Sequence, residues 1–141
     1  VGAQTLNPAA QVRLIKTLIE KSGKTYDKVT MQIVGDTGSA SDLVSALSKI
    51  NSLNLAGKEV PFSVMTNSKA GANCYYYLSG STPAESDSIA FTDNKTLVEQ
   101  GVLVGLTQEG TLPRVYMNLS TLKKLKIQYP TGLMKMVTLV E

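Results

Sequence analysis

The side chains that could do chemistry in this chain are few. Among 141 residues there is no His, no Trp and a single Cys. Without His, a Ser-His-Asp triad, a His general base and a His-bound metal site are all excluded. Cys74 has no second cysteine, so an internal disulfide and a Cys-x-x-Cys redox pair are excluded as well. Enzyme chemistry would have to rest on carboxylates, Lys, Tyr or a cofactor. Asp36 and Asp93 could do acid/base work if buried together, and an enzyme of that kind is the third reading of the chain. No nucleophile, metal site or cofactor fingerprint accompanies them, so the expectation is a non-enzyme with no cofactor.

Binding chemistry has more to draw on. Gly35-Asp36-Thr37-Gly38-Ser39 follows a strand pattern and precedes a helix pattern, an arrangement that can hold an anion on loop amides. It matches neither G-x-G-x-x-G nor G-x-x-x-x-G-K-[ST], and the glycines read first as a tight strand-to-helix turn, with anion binding the lesser reading. In an open α/β sheet the crevice lies at the C-terminal ends of the strands. Asp36-Thr37, Ser79-Gly80 and Thr92-Asp93 are the loops expected there, with Asp36, Gly38 and Thr92 as the candidate ligand pocket. Tyr75, Tyr76 and Tyr77 could stack on bases, against the plainer reading of strand residues with peripheral hydroxyls. Lys123, Lys124 and Lys126 form a basic cluster, which a solvated helix C-terminus also explains. Two N-x-[ST] sequons, at Asn94 and Asn118, read as chance matches.

The elements that must position these residues follow from periodicity. Asn7-Pro8 starts a helix, with Val12, Leu14, Ile15, Leu18 and Ile19 on one face and Gly23 at its end. Residues 26–34 alternate as a strand. Leu43, Val44, Leu47 and Ile50 give the next helix, with Ser39 and Asp42 as a capping box. Residues 51–58 read as loop. Residues 59–65 read as a strand that Pro61 places at a sheet edge. Residues 66–73 are loop, and Cys74 opens a β-former run typical of a strand covered on both faces. Residues 79–86 are loop, 88–91 a short strand, and Thr92-Asp93-Asn94 cap a brief helix. Residues 102–107 and 112–118 read as an antiparallel hairpin around Glu109-Gly110, with Pro113 near an edge. Asn118 or Ser120 then caps a helix with Leu119, Leu122 and Leu125 on one face. Leu133, Met136, Val137 and Val140 repeat with helical spacing over residues 132–140.

The fold class expected is α/β: a single domain over residues 1–141, with a twisted, mostly parallel sheet, flanking helices and a C-terminal antiparallel hairpin at the edge. The length fits one domain and buries roughly 70% of the unfolded surface. Hydrophobic content of 43% and charged content of 18% argue against disorder. No run approaches the ~20 apolar residues of a bilayer span, so no direct membrane insertion is expected. A net charge of +3 with scattered lysines argues against nucleic acid as a partner. The chain begins at Val1, and a secretory signal removed upstream is the expectation.

These elements, in this order, resemble the YfiR family of bacterial periplasmic regulators. The pieces that carry the likeness are MQIVGD (31–36), the Gly-Lys-x-Val element at Gly57, Cys74 leading into YYYL, and IAFTDN (89–94). The most telling are GVLVGLTQEGTLPRVYMNLSTLKKLKI (101–127) and GLMKMVTLV (132–140). Together they span roughly residue 26 to the end. The resemblance implies an exported, periplasmic α/β domain without catalytic residues. It implies restraint of a membrane-bound diguanylate cyclase through that enzyme's periplasmic portion, lowering cyclic-di-GMP output and biofilm formation. The sequence departs from the family pattern in two places. Cys74 lacks the partner cysteine of better-known members, and the aromatic-Trp-Pro ending of the first helix is replaced by IEKSGKT (19–25).

The leading expectation is therefore a signalling regulator acting by protein–protein contact. Leu112, Lys123 and Lys124 of the C-terminal module are the candidate partner-binding residues, and a second copy of the chain is a further candidate partner. The alternative is a small-ligand-binding periplasmic module with its pocket at Asp36, Gly38 and Thr92.

Overall fold

A computed structural model describes residues 4–5, 7–35, 38, 41–66, 72–78 and 88–140. Nine strands and five helices are described: β1 (Gln4–Thr5), α1 (Pro8–Glu20), β2 (Val29–Val34), α2 (Ser41–Ser48), β3 (Ser52–Leu55), β4 (Lys58–Met65), β5 (Cys74–Tyr77), β6 (Ile89–Thr92), α3 (Lys95–Glu99), β7 (Val104–Glu109), β8 (Leu112–Asn118), α4 (Leu119–Lys124), α5 (Thr131–Met134) and β9 (Val137–Val140). The sheet runs β3-β4-β2-β5-β6-β7-β8-β9, with β1 added to the far half of β7. The parallel pairs β4-β2, β2-β5, β5-β6 and β6-β7 form its centre. Antiparallel β3 and β8 flank that centre, and β9 runs parallel to β8. This is the α/β domain expected, with an antiparallel pair in the C-terminal third.

Alternation sorts the side chains onto two faces. Val29, Met31 and Ile33 of β2 lie level with Cys74 and Tyr76 of β5, then with Ile89 and Phe91 of β6. All are buried in one core with Ile15, Leu18 and Ile19 of α1 and Leu43 and Leu47 of α2. Full burial of each large aliphatic side chain contributes about 1.5–3 kcal/mol. The other face carries a smaller cluster of Tyr77, Ala90, Leu97 and Val102, covered by α3. Here Gly105 matters, because a Cβ at that position would come within 2.5 Å of Val98 Cγ2.

Helix ends follow local chemistry. Asn7 Oδ1 accepts the Ala9 N–H at 2.8 Å, and Pro8 occupies the first turn. At the other end the Ser22 hydroxyl donates to the Ile19 carbonyl at 2.7 Å and accepts the Lys24 N–H at 3.2 Å. Asn94 and Asn118, the two sequon asparagines, are both N-caps, accepting from Thr96 and Thr121 amides. Asn118 is buried and also donates to the Val98 carbonyl at 2.8 Å, so its amide is committed inside the fold.

Five expectations are corrected. Residues 52–55 form β3 rather than loop: Leu53 and Leu55 are buried in alternation, and Ala56 (φ 53) and Gly57 (φ 83) make the two-residue turn into β4. Pro61 therefore does not sit on an edge strand, since β4 lies between β3 and β2. Phe62 N–H points to β3, bonding Asn51 O at 3.0 Å, so the Pro61 nitrogen faces the β2 side. The ladder to β2 begins only at Val29–Phe62, one residue later, and no hydrogen bond is lost. Finally, residues 132–140 are not one helix. A short α5 gives way to β9, whose β-branched residues pair with β8 over Val115–Asn118. The β7-β8 hairpin consequently lies one strand in from the edge. Its two-residue turn is Gly110-Thr111, with Glu109 paired to Leu112. Ser39, of the expected capping box, and residues 79–86 lie outside the described residues. Among the described residues no helix is long and apolar enough to cross a membrane.

Candidate functional site

The register brings the C-terminal ends of three parallel strands level, pairing Val34 with Tyr77 and Tyr77 with Thr92. The order in which the chain adds parallel strands reverses between β2 and β5, which is where an open α/β sheet places its crevice. At that point Leu78 is buried against Gly35: a Cβ on Gly35, whose φ is +121, would meet Leu78 Cβ at 2.9 Å. Thr92 is fully buried, and its hydroxyl accepts the Asn94 N–H at 3.2 Å, which shapes the turn into α3. Gly38 is exposed. Asp36, Thr37, Ser79 and Gly80 lie outside the described residues, so of the three candidate loops only Thr92-Asp93 is described.

One polar link near this edge was not foreseen. Tyr76 donates its hydroxyl hydrogen bond to Gln11 Oε1, and both side chains are fully buried. Burial pushes the Tyr76 phenol above its ordinary range; the nearby Asp93 charge pushes the same way, and the Gln11 bond opposes them. The signal for Gln11 was in the helix spacing, since positions 11, 15, 18 and 19 share a face. Tyr75 and Tyr77 stack with centroids 6.0 Å apart on the opposite side of the sheet. Tyr76 thus has its hydroxyl in the interior rather than at the periphery.

Cys74 is buried, and burial pushes its thiol up to about 12. It is neutral at ordinary pH, whereas a nucleophilic cysteine needs thiolate character. Burial likewise raises Tyr129, whose hydroxyl donates to the Leu18 carbonyl at 2.8 Å and ties the C-terminal module to α1. Among the described residues no group of three or more Cys, Asp or Glu is placed to hold a metal ion.

The C-terminal surface is different in character. The large hydrophobic side chains exposed among the described residues are Leu112 (68%), Met136 (58%) and Leu139 (46%), and all lie in the module from β8 to β9. No described strand pairs with the outer side of β9. Lys123 and Lys124 are exposed in the last turn of α4, where cations suit the helix dipole.

The end of α4 is a complete Schellman motif. Lys126 N–H bonds Lys123 O at 3.1 Å, Ile127 N–H bonds Leu122 O at 3.3 Å, and Leu122 and Ile127 are both buried. The left-handed position in that motif is taken by Lys126 (φ 58), where glycine is usual. Beside it lies an open depression of about 340 Å³ lined by Leu122, Lys123, Lys126, Ile127 and Gln128. A second depression, of about 540 Å³, lies between the segment before β2 and the β3-β4 turn, lined by residues including Tyr26, Asp27 and Lys58.

A scan of protein-family models gives no match to the chain, and a search of curated proteins gives none.

Proposed function

We propose that the protein is a non-enzymatic periplasmic regulator of the YfiR kind. It binds the periplasmic part of a membrane-bound signalling protein, a diguanylate cyclase, and restrains it, lowering cyclic-di-GMP and biofilm formation. The observation that carries this reading is the run from Gly101 to Val140, with its apolar strand, acidic-Gly turn, strand ending in Asn and basic helix. Its surface supports a contact role, because Leu112, Met136 and Leu139 are exposed on that same module. Restraint then works by population shift: the regulator must bind the inactive state of its partner more tightly than the active one. A tenfold shift requires about 1.4 kcal/mol of differential affinity. Deleting the gene should raise cellular cyclic-di-GMP, and restoring the exported protein should lower it again. Cyclic-di-GMP that responds to neither change overturns the reading.

A second reading, a small-ligand pocket at Asp36, Gly38 and Thr92, is favoured by the reversal of strand order between β2 and β5. A thermal-shift screen with nucleotides and small metabolites tests it. No shift at millimolar ligand counts against a pocket.

A further inference from the structure

Charge is segregated along this chain. Between Thr111 and Val140 there are five cations, Arg114, Lys123, Lys124, Lys126 and Lys135, and no Asp or Glu. The whole chain carries only +3, so the remainder is net negative. The depression at the end of α4 lies within this carboxylate-free stretch. It is lined by two lysines and a glutamine amide around the Leu122–Ile127 contact of the Schellman motif. Neither Lys123 nor Lys126 has an ion-pair partner within 4.0 Å among the described residues.

Helix-dipole complementarity accounts for Lys123 and Lys124, which stand in the last turn. It does not account for the backbone at Lys126, which lies just beyond the helix in a conformation that favours glycine. Lys126 thus combines a strained backbone with a place beside a second lysine at a shallow depression floored by Leu122 and Ile127.

We propose that this groove is the docking point for an acidic segment of the partner protein, its carboxylates meeting the Lys123 and Lys126 ammonium groups. The proposal rests on the reading that the protein acts by binding another protein. The acidic protein segment is preferred to an anionic membrane because two of the five cations, Lys123 and Lys126, line one depression together.

The test is a titration of the full chain with a fluorescein-labelled hexaglutamate peptide at low ionic strength, read by anisotropy and by amide chemical shifts. Binding should be saturable and salt-sensitive, with shifts concentrated at residues 122–128. The double variant Lys123→Gln/Lys126→Gln should bind about fivefold more weakly, the loss of two exposed ion pairs. The variant Lys16→Gln/Lys49→Gln removes the same net charge from exposed lysines elsewhere and should bind like the parent. An equal loss in that control would mean attraction to net charge alone, and overturns the proposal. So does binding to phosphatidylglycerol vesicles that depends on Lys123 and Lys126 without hexaglutamate shifts at 122–128. A Lys123→Gln/Lys126→Gln variant that lowers cyclic-di-GMP as well as the parent also sinks the groove, while leaving the regulatory reading intact. Loss of the cyclic-di-GMP phenotype itself is the failure of that reading instead.

Discussion

Replacing Lys126 by glycine should give a more stable protein than replacing it by glutamine. The residue's φ of 58 lies in the left-handed region, which costs an L-residue about 1–2 kcal/mol. Glycine avoids that strain but adds about 0.4–1 kcal/mol of unfolded-state freedom. Removing the ammonium also forfeits about 0.3–1 kcal/mol of interaction with the C-terminal end of the α4 dipole. Lys126→Gln shares the charge loss and keeps the strained backbone, so comparing the two variants cancels the dipole contribution. What remains is about 1 kcal/mol in favour of Lys126→Gly. With an unfolding entropy of about 2.1 cal/mol/K per residue over 141 residues, that is about 3 °C in Tm. Differential scanning calorimetry and urea midpoints would measure it. A Lys126→Gly variant melting at or below Lys126→Gln refutes the claim that this position is strained. The proposed groove adds a second readout, since Lys126→Gly should be more stable than Lys126→Gln while both lose hexaglutamate affinity.

Two further outcomes concern the interior. Tyr76→Phe removes the donor to a fully buried Gln11 oxygen, and should cost about 1–3 kcal/mol in urea unfolding. Adding Gln11→Leu should recover part of that loss, and a Tyr76→Phe variant as stable as the parent would refute the buried link. At high pH, Cys74, Tyr76 and Tyr129 act together. Each has a folded-state pKa raised by burial, so the neutral form is favoured in the native state. Their contribution is full below the unfolded-state values, about 9 for the thiol and 10 for the phenols, and is lost as pH rises beyond them. The urea midpoint should therefore hold between about pH 7 and 8 and fall steadily above about pH 9. A midpoint that stays level or rises to pH 11 contradicts the assigned burial.

The sheet's centre was legible because its residues carry period-two burial over several positions. Val29, Met31 and Ile33 could not sit on any other face, and Cys74 to Tyr77 had the composition of a covered strand. The elements that escaped are those whose local signals pointed elsewhere. Asn51, Asn54 and Gly57 gave residues 51–58 a loop-like composition, yet Leu53 and Leu55 gain burial by pairing with β4. In residues 132–140 the helical spacing of Leu133, Met136, Val137 and Val140 competed with the β preference of Val137-Thr138-Leu139-Val140. The open side of β8 decided in favour of a strand. The exposure of Leu112, Lys123 and Lys124 followed from turn and helix-end positions readable in advance. The left-handed backbone at Lys126 was not, because sequence leads one to expect Gly or Asn there.

The C-terminal module combines two requirements that usually conflict. Its inner side is part of the main core: Val115, Met117, Leu122, Leu125, Ile127 and Tyr129 are all buried, and the Tyr129 hydroxyl fastens the segment after α4 to α1. The same module carries five cations and the exposed Leu112, Met136 and Leu139, with Leu139 level with the buried Met117 and Leu112 on the alternate face of β8. A surface presented on elements locked this way loses little conformational freedom when it is covered, so more of the contact energy reaches the complex. The cation excess of this module speeds encounter with an acidic partner, but speed alone does not restrain it. A groove that grips both states of a partner equally shifts nothing, however tightly it binds. For the proposed restraint, the partner's acidic segment must therefore reach Lys123 and Lys126 in one of its states and be withdrawn in the other.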